Sequence, residues 1–188
     1  MVSRLGVMVA SLPLTEQNLI LTGYTGPGQP RLGREIAERL SLPFVEFERL
    51  IEARAGEDVE VIRAQYGERR LQTIESELME EVALQRSAVI RIGGSTLMYS
   101  DHFSRLDRTG PVICLVASLG AILQRLHLAM GARYHDPAER AYMLGLLKRA
   151  WAIRDLPGIY EVDTTYLADD QIIDAVINLW QSVAISRG

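Results

Sequence analysis

Apolar and polar positions alternate along this chain in a way that separates strands from helices. Leu19-Ile20-Leu21-Thr22 is a short apolar run that ends in a glycine-rich turn. Beyond the turn, Leu32, Ile36 and Leu40 recur at helical spacing, and the pattern stops at Ser41-Leu42-Pro43. Phe44 to Glu48 alternates apolar with acidic residues and reads as a second strand. Asp58 to Tyr66 and Gly67 to Arg86 read as two helices, the second carrying Leu71, Ile74, Leu78 and Val82 as one stripe. Ala88 to Ile92 is the next strand and runs into Gly93-Gly94-Ser95. After a polar segment and Thr109-Gly110-Pro111 comes the most apolar strand, Val112 to Val116.

Ser118 is suited to cap a helix running to about Leu128. Met130 to Pro137 interrupts the helical pattern, a second helix is expected from Pro137 to Arg154, and Leu156-Pro157-Gly158 closes it. Ile159 to Val162 reads as a last strand and Asp169 to Ala184 as a final amphipathic helix. Strands alternating with helices predict a three-layer α/β/α domain around a mostly parallel five-stranded sheet. Ligands of such sheets bind beyond the carboxyl ends of the strands. The glycine turn, the pair Glu46 and Glu48, and Gly93-Gly94 all fall at those ends.

Composition narrows the partners. The chain has 188 residues, enough for one domain with a sizeable core, and a net charge of −4 that speaks against a nucleic-acid surface. Its single cysteine, Cys114, lies inside an apolar strand and reads as a small core residue, so no internal disulfide is expected and a reducing cytoplasm suits the chain. Residues 1–17 are expected to be an N-terminal extension to a single domain over 18–188. Arg4 and the apolar Leu5 to Leu14 faintly outline a signal peptide, but no cleavage site follows. No run approaches the ~20 apolar residues of a membrane span.

The glycine turn carries the candidate chemistry. Gly23 and Gly28 have the spacing of the two glycines in G-x-x-x-x-G-K-[ST], where backbone N–H groups cradle a phosphate at a helix N-terminus. Gln29 occupies the lysine position, and Pro30 the position of the hydroxyl that meets magnesium. A tight strand-to-helix turn with no ligand is the competing explanation, and Pro30 also suits a helix start. Glu46 and Glu48, read as strand neighbours on one side of the sheet, suit a metal, a general base, or a pairing with Arg31, Arg91 or Arg133. His102, His127 and His135 lack metal-ligand spacing and read as surface or lid residues. Trp151 and Trp180 read as core.

In sequence, G-x-x-G-x-G at Gly23 to Gly28, Leu42-Pro43-Phe44-Val45 before an acidic pair, Gly67-Glu68, Gly93-Gly94, Arg133, the pair Arg149 and Arg154, and Val162-Asp163-Thr164 are ordered as in a known family. From Asn18 to Trp180 the chain resembles the shikimate kinases, small P-loop kinases of the nucleoside-monophosphate-kinase type. The resemblance implies that Gly23, Gly26, Gly28, Gln29 and Pro30 form the nucleotide site, and that ATP and magnesium are used. It implies Glu46 and Glu48 as counterparts of two aspartates that assist the metal and bind substrate hydroxyls. Gln72 stands where an arginine clamps the substrate carboxylate, Gly93-Gly94-Ser95 where a glycine triplet approaches the substrate, and Arg154 where a second arginine clamps it. Glu48 and the lid residue Arg133 are the candidate catalytic pair.

Phosphoryl transfer rests on positioning and charge stabilisation, so the absent lysine and hydroxyl count against ATP and magnesium here. The main expectation is therefore a domain impaired or inactive in phosphoryl transfer, retained for a small anionic ligand or a protein partner. The alternative is an active ATP-dependent shikimate kinase, or a related small-molecule kinase with an atypical loop. In that case Arg91 or Arg133 would stabilise the charge; of the three nearby cations, Arg31, Arg34 and Arg91, Arg34 is expected on the solvent face.

Overall fold

A computed structural model describes residues 12–23 and 29–187. Five strands, β1 (Leu19–Gly23), β2 (Phe44–Glu46), β3 (Val89–Arg91), β4 (Val112–Val116) and β5 (Tyr160–Asp163), form one sheet in the order β2-β3-β1-β4-β5. Every pairing is parallel. Eight α-helices lie among the described residues: α1 (Gln29–Leu40), α2 (Phe47–Ala55), α3 (Val59–Val82), α4 (Gly94–Leu97), α5 (His102–Asp107), α6 (Leu119–Met130), α7 (Pro137–Trp151) and α8 (Asp169–Arg187).

Side-chain alternation in the strands assigns the two faces. Ile20, Ile90, Ile92, Val112 and Cys114 pack with Phe47, Ile51, Leu71, Ile74 and Leu78, so α2 and α3 cover that face. Leu19, Leu21, Val89, Ile113 and Leu115 pack with Leu32, Ile36, Ile172, Val176 and Trp180, so α1 and α8 cover the other. This is the three-layer arrangement the pattern predicted. Cys114 is 1% exposed, and burial pushes its thiol up to about 12, an inert core residue.

Asn18 joins the layers at the foot of β1. Its Nδ2 donates to Gln85 O (2.8 Å) and Thr109 Oγ1 (3.0 Å), its Oδ1 accepts from Ala88 N (3.0 Å), and its O accepts from Trp180 Nε1 (3.0 Å). Gly110 sits so close that an added Cβ would stand 1.9 Å from Asn18 O. Upstream, Gln17 is buried and its Nε2 donates to Ala184 O of α8 (3.0 Å), so the described part of the N-terminal segment packs on the domain. No described helix is long and apolar enough to cross a membrane.

Three local expectations need correction. The second strand ends at Glu46, and Phe47 starts α2, because Phe47 and Ile51, one helical turn apart, are both buried against the sheet. Glu48 therefore lies in the first turn of a helix, not beside Glu46 on a strand. The long helix ends at Trp151 and continues as a short 3-10 turn, Ala152–Asp155. His102 is not a surface residue: it is 2% exposed and its ring Nδ1 lies 2.8 Å from Thr96 O. The break at Gly67, by contrast, falls where the two-helix reading put it, with φ 80° inside α3.

Candidate functional site

The carboxyl ends of β2, β3 and β1 meet at one crevice. β3 ends at Arg91, and the chain turns through Gly93, which precedes α4. Glu48 leans over this turn from α2, and a Cβ on Gly93 would come 3.1 Å from its Oε1. Arg91 Nη1 donates to Glu48 Oε2 over 2.7 Å, with the two side chains 17% and 29% exposed. Burial raises the Glu48 carboxyl above its usual range, and the adjacent guanidinium only partly opposes that rise. Glu46, the last residue of β2 and the register partner of Arg91, is 13% exposed at its side chain and has Arg49 Nε at 3.6 Å.

Gly23 ends β1 with φ 97°, and a Cβ there would lie 2.2 Å from Leu115 O, so only glycine lets the chain leave the sheet at this point. Gly26 and Gly28 lie outside the described residues. The backbone of Gln29 opens α1, and its side chain lies outside the description. Pro30 follows, half-buried. Arg133 belongs to the short 3-10 turn Gly131–His135, and its side chain too is outside the description.

Of the three cations considered, Arg91 reaches the crevice. Arg31 is exposed and pairs with Glu35 (2.6 Å) and Asp169. Arg34 is exposed, with its guanidinium 5.8 Å from the Phe44 ring centroid, on the solvent face as expected. Arg154 stands apart. Its Nε and Nη2 bind Glu161 of β5 at 2.6 and 3.0 Å, so its charge is already answered by a carboxylate. The 3-10 turn that bears it packs on α4. Gln72 lines an open groove of about 340 Å³ between α3 and the α4–α5 connection, with Thr73, Ser76, Glu77, Glu80 and Tyr99. Glu46, Glu48, Arg91 and Gly93 thus form one cluster, with Gly94 directly behind it as the first residue of α4.

Sequence reading missed a buried polar chain behind this cluster. Thr96 Oγ1 donates to Glu75 Oε1 (2.7 Å), and Thr96 O meets the His102 ring. Burial raises the Glu75 carboxyl and lowers the imidazole of His102. Glu75 was legible in principle, because an acidic residue one position beyond Ile74 falls on the wide apolar stripe of its helix.

The fit of a nucleotide and its metal can be judged at two points. Among the described residues, no three His, Cys, Asp or Glu side chains gather as a metal-binding group. Pro30 offers neither hydroxyl nor N–H. Glu46 does fit: magnesium that arrives on phosphates needs one or two carboxylates, and this one lies at the carboxyl end of β2 beside Arg91.

The model of the shikimate kinase family matches residues 25–179. Shikimate kinase from Thermodesulfovibrio yellowstonii is 27% identical over 176 residues, which is 89% of this chain and 97% of that protein. Shikimate kinase from Symbiobacterium thermophilum is 38% identical over 140 residues, covering 70% and 79%. Among solved structures, shikimate kinase from Bacteroides thetaiotaomicron superposes with a TM-score of 0.69 at 26% identity, covering 89% of this chain and 97% of that one. Shikimate kinase from Acinetobacter baumannii in complex with shikimate gives 0.72 at 23% identity, covering 90% and 95%.

Proposed function

The chain belongs to the shikimate kinase family, and from that premise we propose that it phosphorylates a hydroxyl of a small carboxylic acid at the expense of ATP, with shikimate the first acceptor to test. The observation that carries this reading is the Glu48 carboxylate, held over Gly93 at the strand ends by a 2.7 Å bond from Arg91 and raised by burial above its ordinary range. In its ionised form, kept in place by Arg91, it takes the proton of the acceptor hydroxyl. The hydroxyl oxygen bonds to the terminal phosphorus, the bond from that phosphorus to the bridging oxygen breaks, and ADP leaves. The proton then passes from Glu48 to water.

Glu46 would help hold a magnesium ion carried in on the nucleotide, and that ion would offset the charge of the phosphates. Shikimate kinases use ATP and magnesium, and the relatives support the active reading over the impaired one that Gln29 and Pro30 suggested. Those two residues still favour a second reading, in which the crevice binds a small anion or the domain binds a partner without efficient transfer.

Calorimetric titration tests the choice. The kinase reading expects saturable ATP–magnesium binding and, in its presence, saturable shikimate binding. Absence of nucleotide binding to the folded protein overturns it.

A further inference from the structure

Arg91 is used above only as the partner of Glu48, yet that contact occupies one of its nitrogens. Strand alternation places Arg91 on the face shared by Val89 and Leu21, the face covered by α1. Gly33 of α1 fixes the height of the helix over that face. A Cβ on Gly33 would lie 2.7 Å from the Phe44 ring of β2 and 3.8 Å from Leu21 of β1, and β3 runs between those strands. Leu21 and Glu46 are the register partners of Arg91 on either side. The first turn of α1, which contains Gln29 and Pro30, follows β1, so it begins at the carboxyl end of the sheet, where Arg91 also lies.

The guanidinium there is mostly buried and anchored through Nη1 to Glu48, while its Nε is buried with no hydrogen-bond partner. A buried donor left unpaired is costly, and an oxygen-rich anion satisfies it. The planar fork of arginine suits a phosphoryl group in particular.

We propose that Arg91 is the cation that receives the terminal phosphate of the nucleotide in this chain, supplying from β3 the charge that Gln29 does not supply from the loop. This rests on the kinase reading above. It makes Arg91 a binding residue for the transferred group, with Glu48 serving both as its anchor and as the proton acceptor beside it. The two roles are compatible in charge. With Glu48 ionised the pair is neutral, and the arriving phosphate draws on the guanidinium as Glu48 takes up the hydroxyl proton.

The test compares the wild type, Glu48→Gln and the double variant Glu48→Gln/Arg91→Met. The double variant leaves no buried charge without a partner, and all three are first checked for similar unfolding temperatures. Fluorescence-anisotropy competition gives their affinities for ATP–magnesium and for AMP. The double variant is expected to bind ATP at least about tenfold more weakly than Glu48→Gln, with AMP affinity unchanged within about twofold. A merely structural role would lower both alike, and either that result or an unchanged ATP affinity overturns the proposal while leaving the kinase reading in place. A wild type that binds neither ATP nor AMP overturns both. Should the double variant fail to fold, Arg91→Lys keeps the ion pair but loses the fork. A selective loss of ATP affinity supports the proposal there, and equal affinities overturn it.

Discussion

The hydroxyl of Thr96 donates to Glu75 Oε1 over 2.7 Å, and this bond ties α3 to α4 directly behind the Gly93–Gly94 turn. Both residues are 6% exposed, so the carboxyl is removed from water with a single neutral donor for company. Burial therefore raises it above its ordinary 4.5. A carboxyl whose folded value is raised stabilises the fold fully below its unfolded value and loses that contribution as pH rises through the folded one. Glu75→Gln keeps an acceptor for Thr96 and removes the titration. Relative to wild type, the variant should gain thermal stability steadily as pH is raised from 4.5 toward 8. Unfolding temperatures that stay parallel across that range would refute the burial argument.

His102 should behave in the opposite sense. Its ring is buried and lies 2.8 Å from the Thr96 carbonyl, and burial lowers it from the ordinary 6.5. Its stabilising contribution is present above 6.5 and fades as pH falls through the lower folded value. His102→Asn, which can still donate to the carbonyl, should lose about 1 kcal/mol or more through poorer packing at pH 8 and less at pH 5. Denaturant melts at the two pH values measure this. An equal loss at both would mean that the ring does not titrate in the fold.

Asn18→Ala removes both side-chain donors and the acceptor for Ala88 N at once. Leaving buried backbone groups unpaired costs about 1–3 kcal/mol each, so a loss of roughly 3 kcal/mol or more is expected in urea unfolding. A loss below about 1 kcal/mol would show that these bonds do not hold β1 in place.

The layered fold was legible because β1 and β4 are short apolar runs and α1 and the second half of α3 carry apolar stripes, and neither signal depends on distant residues. Where the reading went wrong, tertiary packing decided. Phe47 continues the alternation Phe44-Val45-Glu46, but its burial one turn from Ile51 makes it helical and carries Glu48 off the strand. That Glu46 and Gly93 lie at neighbouring strand ends could be read from the strands alone. That Arg91, and neither Arg31 nor Arg34, reaches Glu48 could not, because it depends on where α2 crosses the sheet. His102 was misread for a similar reason: nothing local marks a ring that α4 covers with a carbonyl.

The loop supplies a gain-of-function prediction. Gln29→Lys with Pro30→Ser adds a charge at the helix N-terminus, restores a backbone donor and provides a hydroxyl for magnesium. ATP–magnesium affinity should rise at least about tenfold over the parent in anisotropy competition, at unchanged unfolding temperature. No gain in a well-folded variant would show that the turn before α1 does not hold phosphate.

Direct detection of product bears on the central claim most closely. The folded wild type is incubated with ATP, magnesium and shikimate, and the mixture is analysed by mass spectrometry and phosphorus NMR alongside Glu48→Gln. The account predicts shikimate phosphate and ADP formed in equal amounts by the wild type. It also predicts a rate lower by about 10²-fold or more in the variant, as loss of a general base entails. No phosphorylated acid from a wild type that is folded and saturated with nucleotide, or equal rates from both proteins, would contradict it.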